Sequence, residues 1–292
     1  MSANRPLFGP AGNCDAFTKA HKSSVFAPGW LKNMGLDCYE YQCGRGVNLG
    51  EETARRIGAA AAEAGIVMSL HGPYFINLSS AEPDRVEKNL QYIVDACRAA
   101  RWMGGDRVIV HCGGLSCLTR EEAFANTGAG LRLALERLEA EGLADIALCV
   151  ETMGKVSTIG TVLEVARLCA PDGRLVPCID FGHVNSREQG SLKAVEDFHG
   201  IIDILEGELG RERTRTMHAH FSRIEYSKGG EVRHWTLADA QFGPDYRPML
   251  EAVAARGLSP RIICESAGTQ AEDARLMKDY FEGLPPPVPF VE

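Results

Sequence analysis

Short apolar runs alternate with longer periodic ones along the whole chain. The short runs begin at Leu7, Cys38, Val67, Arg107, Ala147, Leu175, Thr216 and Arg261. Each has the length of a strand, and their near-continuous apolarity suits parallel strands buried on both faces. Helical patterns lie between them. Over 84–103, Val86, Leu90, Ile93, Val94, Cys97 and Ala100 recur at steps of three and four and form one apolar face. Phe124, Leu131, Leu135 and Leu138 do the same in the next segment. Residues 51–64 are Ala-rich and open on acids, as a helix N-terminus favours. Further helices are expected near 157–169, 188–208, 246–256 and 269–282. Gly65, Gly104 and Gly142 stand where helix C-caps belong.

Eight strands, nearly all followed by a helix, predict an α/β fold: a single (β/α)8 TIM barrel over residues 1–284, with a Pro-rich tail at 285–292. A doubly wound open sheet is the alternative, but no GxGxxG follows the first strand. Composition narrows the picture. A chain of 292 residues, 45% hydrophobic and 24% charged, can bury a large core, which excludes disordered and fibrous classes. The net charge of −8 argues against a broad basic surface for nucleic acid. No apolar run is long enough to span a membrane. The N-terminal MSANRPLFGP lacks an apolar signal core, so a cytoplasmic location is expected. The ten cysteines are scattered without a C-x-x-C pair. Cys112, Cys149, Cys178 and Cys264 sit inside apolar runs and read as small buried groups.

Function in such a barrel is read from the C-terminal ends of the strands. Here they carry His71, His111, Glu151, Asp180 with His183 just after it, His218 with His220, and Glu265. His234 lies in the long loop after the seventh strand. Three carboxylates converging without cations would repel one another and suffer large pKa shifts. Neutral imidazoles with carboxylates and no thiolates are a ligand set for Zn²⁺, or for Mn²⁺ and Fe²⁺. The count exceeds four ligands, so more than one metal is expected. Multi-metal sites of this kind cleave phosphate esters or move protons on sugars.

The motifs HGPYFINL from His71, HCGG from His111, ETMGK from Glu151, DFGHVNS from Asp180, MHAHFS with His218 and CESAG with Glu265 follow one another in strand order. Together they resemble the endonuclease IV family, zinc-dependent apurinic/apyrimidinic endonucleases within the xylose isomerase-like TIM barrel superfamily. The resemblance runs from Phe8 to Glu265. It implies a zinc cluster of two or three ions, with Mn²⁺ as a substitute. His71 and His111 would bind the first ion and Glu151 would bridge to the second. Asp180, His218 and Glu265 would complete the second, and His183 and His234 would hold the third. The family places an Asp two residues before the loop His, where this chain has Val232; Glu231 is the nearest substitute. His220, on the same strand face as His218, is a further candidate for that metal or for substrate contact. Tyr74 matches a residue that the family inserts into DNA. The second loop, QCGRGV, offers Arg45 but departs from the family's insertion motif.

What the resemblance implies is a metal-dependent hydrolase that cuts damaged double-stranded DNA 5′ to abasic sites in base-excision repair, with Glu151 as the catalytic base. A monomer is favoured over an oligomer. Arg45, Lys155, Arg187, Arg223, Lys228 and Arg233 in loops on that face are candidates for phosphate contact, with a plain solvated surface as the equal alternative for each one singly. The alternative within the same superfamily is a divalent-metal sugar isomerase or epimerase, which needs fewer histidines. A non-enzymatic DNA-binding barrel is the third reading.

Overall fold

The computed structural model describes residues 5–285. Ten strands and eleven α-helices form among them. The strands are β1 (Leu7–Pro10), β2 (Cys38–Gln42), β3 (Val67–His71), β4 (Arg107–Val110), β5 (Ala147–Glu151), β6 (Leu175–Asp180), β7 (His218–Phe221), β8 (Arg223–Ser227), β9 (Gly230–Trp235) and β10 (Arg261–Cys264). The helices are α1 (Asp15–Ala20), α2 (Ala27–Asn33), α3 (Glu51–Ala64), α4 (Pro83–Trp102), α5 (Arg120–Ala140), α6 (Val162–Cys169), α7 (Phe181–Arg187), α8 (Val195–Leu209), α9 (Arg211–Arg215), α10 (Tyr246–Ala255) and α11 (Gln270–Glu282).

Eight strands pair in parallel in the order β1-β10-β7-β6-β5-β4-β3-β2. The two ends of that row meet: Ala11 bridges Glu40 in parallel, and the Gly12 amide donates to the Glu40 carbonyl at 2.8 Å. The sheet is therefore the closed (β/α)8 barrel that the alternation predicts. Closure needs a residue without a side chain at the seam. A Cβ on Gly9 would lie 1.8 Å from the Cys38 carbonyl oxygen. Inside, Ile109, Cys149 and Cys178 pack as one buried layer, so the barrel is filled rather than hollow. All ten cysteines are free, and nine are buried.

The helices wrap the sheet with their apolar faces inward. Ala54, Ile57 and Ala61 of α3 are buried, and Gly65 takes φ 69° to end it. α5 starts on a capping box between Thr119 and Glu122, and α6 on one between Thr161 and Glu164. Two expected helices begin later than the pattern suggested. The one expected from 188 begins at Val195 as α8, because α7 ends at Arg187 and the chain then turns through positive φ at Gln189 and Gly190. The one expected from 157 begins at Val162, because the chain before it forms a loop. That loop is held by Arg187, whose guanidinium donates to the carbonyls of Met153, Lys155, Val156 and Thr158.

The stretch after the seventh strand is not a plain loop. β8 and β9 form an antiparallel hairpin there. Its turn rests on the loop after β5, where Glu231 N donates to the Gly154 carbonyl at 3.2 Å. The Pro-rich tail read at 285–292 lies, beyond Pro285, outside the described residues. No described helix is long and apolar enough to cross a membrane.

Candidate metal centre

His71 ends β3, Glu151 ends β5 and Asp180 ends β6; His111 and Glu265 directly follow β4 and β10. Parallel strands bring these positions to one end of the barrel. Among the described residues, five groups bring their ligand atoms within 4.8 Å of one another: Cys178, His218 and His220 form one, His71, His220 and Glu265 another, and three more gather the strand-end and hairpin residues. The first of these three is His71, His111 and Glu151. Glu151 Oε2 is 3.4 Å from His71 Nε2 and 3.0 Å from His111 Nε2. The second is Glu151, Asp180, His220 and Glu265. His220 Nδ1 is 2.9 Å from Glu151 Oε1 and 3.5 Å from Glu265 Oε1. The third is His183, Glu231 and His234, with Glu231 oxygens 3.4 and 3.9 Å from the two Nε2 atoms. Glu151 is common to the first and second groups.

Local structure explains the aim of each ring. Asp180 caps α7, accepting from His183 N at 2.8 Å, and so brings a His one turn later to the same opening. The far nitrogen of most rings is engaged. His71 Nδ1 faces the Gly72 carbonyl at 2.9 Å, and His183 Nδ1 the Thr152 carbonyl at 2.9 Å. His234 Nδ1 is 2.8 Å from Ser222 Oγ. The remaining nitrogen of each is thereby directed at the opening, as metal-binding histidines require. Gly154 makes room for the third group. A Cβ there would lie 2.6 Å from Glu231 Cβ and 3.0 Å from His183 Cδ2.

The charges bear on what fits. Burial works to raise the Glu151 carboxyl, yet the imidazoles of His111, His220 and His71 hold it well below the usual carboxylate range. Burial pushes Glu265 up, and the nearby Asp180 and Glu151 add to the rise. Glu151 Oε2 and Asp180 Oδ2 are buried without a hydrogen-bond partner. A lone pair left so is costly, and a cation would satisfy it. The donor set, all imidazole nitrogen and carboxylate oxygen, suits Zn²⁺ or Mn²⁺. The residues present therefore fit divalent metal.

The remaining candidate residues take the following places. His218 falls outside the three groups above and belongs to the one it forms with Cys178 and His220. It is fully buried, faces Glu40 Oε2 at 2.9 Å, and sits beside Cys178 in register. His220 pairs in register with Asp180 and takes the position expected of His218. Glu231 joins His183 and His234, where the missing Asp was sought, while Val232 is exposed. Arg187 donates to the carbonyls of the loop after β5, and Arg223 to those of Leu237 and Phe242. Arg233 pairs with Glu225 at 2.7 Å and covers the Trp235 ring. Lys155 and Lys228 are exposed. Tyr74 is 59% exposed, and its amide donates to the carbonyl of Gly44, next to Arg45. Glu40 was not anticipated, and its side chain contacts both His218 and His220. Burial works to raise its carboxyl, but those two imidazoles hold it well below the usual range.

Comparison with known proteins bears on the fold and the family. The sequence profile of the family described as Xylose isomerase-like TIM barrel matches residues 28–282. An uncharacterized protein of Methanocaldococcus jannaschii is 31% identical over 252 residues, covering 86% of this chain and 90% of that one. A probable endonuclease 4 of Shouchella clausii is 26% identical over 189 residues, covering 60% of this chain but only 59% of its own length. Among solved structures, endonuclease IV from Thermus thermophilus superposes with a TM-score of 0.68 at 21% identity, covering 96% of this chain and 100% of that one. A D-tagatose 3-epimerase-like protein gives 0.66 at 18% identity, covering 85% of this chain and 89% of the other.

Proposed function

This chain belongs to the xylose isomerase-like TIM barrel family, and from that premise we propose that it is a metal-dependent phosphodiesterase, an apurinic/apyrimidinic endonuclease that cuts duplex DNA 5′ to abasic sites in base-excision repair. The observation that carries this reading is the sharing of Glu151 between two donor groups, with a third group alongside. A site for one ion needs about four ligands. Here His71, His111, Asp180, His220 and Glu265 join Glu151 in the first two groups, and His183, Glu231 and His234 make the third. Two or three bound Zn²⁺ or Mn²⁺ ions would supply an acidified water and a clamp on phosphoryl oxygens.

The chain's own residues do the rest. Glu151 is ionised, lies against His220 through Oε1, and would orient the nucleophilic water and take up its proton. His183, Glu231 and His234 line the side on which the phosphate and the departing 3′ oxygen would lie. Tyr74 and Arg45, on adjoining loops at the rim, would contact the duplex around a nucleotide turned out of the stack. Turning out an abasic nucleotide costs less because no base pair is broken.

Glu151→Gln keeps the shape of the side chain and removes its charge. We expect cleavage of a synthetic abasic duplex to fall by about 10²-fold or more, with the circular dichroism spectrum unchanged. Parent-like turnover by the variant would sink the mechanism.

One observation favours the epimerase alternative: Glu151, Asp180, His220 and Glu265 would by themselves complete a one-metal site. The two readings separate on metal content and substrate. About three zinc ions per chain and a nicked abasic duplex support the nuclease. One or two manganese ions and turnover of a ketose support the epimerase.

A further inference from the structure

Beneath the donor groups lies a second ionisable layer that the proposed chemistry does not use. Glu40 on β2 and His218 on β7 are both fully buried. Each oxygen of the Glu40 carboxylate has two polar neighbours. Oε2 accepts from Ser69 Oγ at 3.0 Å and lies 2.9 Å from His218 Nε2. Oε1 lies 3.1 Å from His220 Nε2 and accepts from Gln42 Nε2 at 3.3 Å. β2 and β7 are not neighbours in the sheet, since β1 and β10 stand between them. The contact therefore crosses the interior of the barrel.

A carboxylate there is expensive to bury, and a branched apolar side chain would fill that layer at lower cost. Its geometry gives it a task. His220 is the ring in the central group whose far nitrogen lies against a carboxylate: the buried Nε2 is 3.1 Å from Glu40 Oε1 and forms no hydrogen bond there or elsewhere among the described residues. The far nitrogens of His71, His183 and His234 bond carbonyls or a hydroxyl. We propose that Glu40 is a positioning residue for the metal centre: with an ion bound, its carboxylate would hold the Nε2–H of His220, leaving the Nδ1 lone pair for that ion on the side of Glu151 and Glu265, while Ser69 and the neighbouring His218 keep the Glu40 carboxylate from swinging away. A carboxylate in this role fixes the tautomer as a carbonyl does, and it also makes the opposite nitrogen a stronger donor. The inference rests on the metal reading of the site and concerns one ion of it, the one nearest His220.

The test is metal binding, read without turnover. Zinc affinity is measured by competition with a chromophoric chelator, and the cobalt-loaded protein by its visible absorption, for the parent and for Glu40→Gln. The variant should bind one ion about 10- to 100-fold more weakly, leave the others unchanged, and shift the cobalt spectrum. Ser69→Ala frees one side of the carboxylate and should shift the same bands less; it serves also if Glu40→Gln fails to fold. Equal affinity and equal spectra for parent and variants overturn the positioning role while leaving the metal reading intact. A parent that takes up no zinc or cobalt overturns both. A thiolate-to-cobalt band lost in Cys178→Ser overturns the positioning role in another way, because Cys178 and His218 would then be ligands themselves.

Discussion

Raised pKa values at His71 and His183 make the stability of the metal-free protein depend on pH. Burial works against the charged ring in both. For His71 the carboxylates of Glu151, Glu40 and Glu265 outweigh it, and for His183 those of Asp180, Glu231 and Glu151 do. Both rings are pushed up to about 9. An unfolded His titrates near pH ~6.5. The folded value is the higher, so these protons stabilise the metal-free fold fully below about pH 6.5, and that contribution is lost as pH rises through about 9. A bound metal requires the neutral ring, so the loaded protein escapes this loss. The Tm of chelator-treated protein should therefore fall across that window while the rise in Tm on adding zinc grows. A metal-induced rise that stays constant over the window would contradict this account. Most of these side chains were legible in the sequence, because a His or an acid closing an apolar strand stands out. His218 and His220 could not be told apart, since a period of two points both inward. Which one reaches the opening depends on the stagger that sets His220 beside Asp180. Glu40 went unread because a single acid between Tyr39 and Tyr41 carries no spacing of its own. Its inward position in a buried strand was the available signal.

The hairpin β8–β9 is the element that brings the third donor group together. Gly154 and Gly230 let its turn lie against the loop after β5. A Cβ on Gly230 would come within 2.0 Å of the Gly154 carbonyl oxygen, and one on Gly154 would displace Glu231. Gly154→Ala should thus push Glu231 away from His183 and cost about one bound metal per chain, with the other groups intact. Metal analysis after gel filtration reads this directly, and an unchanged ratio would refute it. The hairpin was hidden in the sequence because EVRHW carries charges and no apolar alternation. Long helices such as α3, α4 and α5 were legible from their periodic faces. The short α1, α2, α7 and α9 were not, since at 5 to 7 residues they hold too few turns to show a period. The arginines of this face show the same limit. Charge alone marks them as candidates for phosphate contact, and it does not reveal that Arg187 and Arg223 donate to the carbonyls of irregular loops.

At the scale of the molecule, the alternation of strands and helices made the barrel legible, and its closure depended on a detail at Gly9 that alternation cannot express. The net charge of −8 still excludes a broad basic surface. Under the proposed function, three divalent ions would offset six of those charges at the end of the barrel that would receive the phosphate. The seam has a consequence for how such loading would be felt elsewhere. The main chain of Glu40 closes the cylinder against Ala11 and Gly12, while its side chain reaches across to His220. One residue is both hasp and anchor, so stiffening of His220 should propagate to the main-chain joint. Exchange of the Gly12 amide hydrogen with deuterated water should slow when zinc is added, and this slowing should vanish in Glu40→Gln. Equal exchange with and without zinc would show that the joint and the site move independently. If they are coupled, the barrel carries in its own closure a spectroscopically silent gauge of whether its mouth is filled.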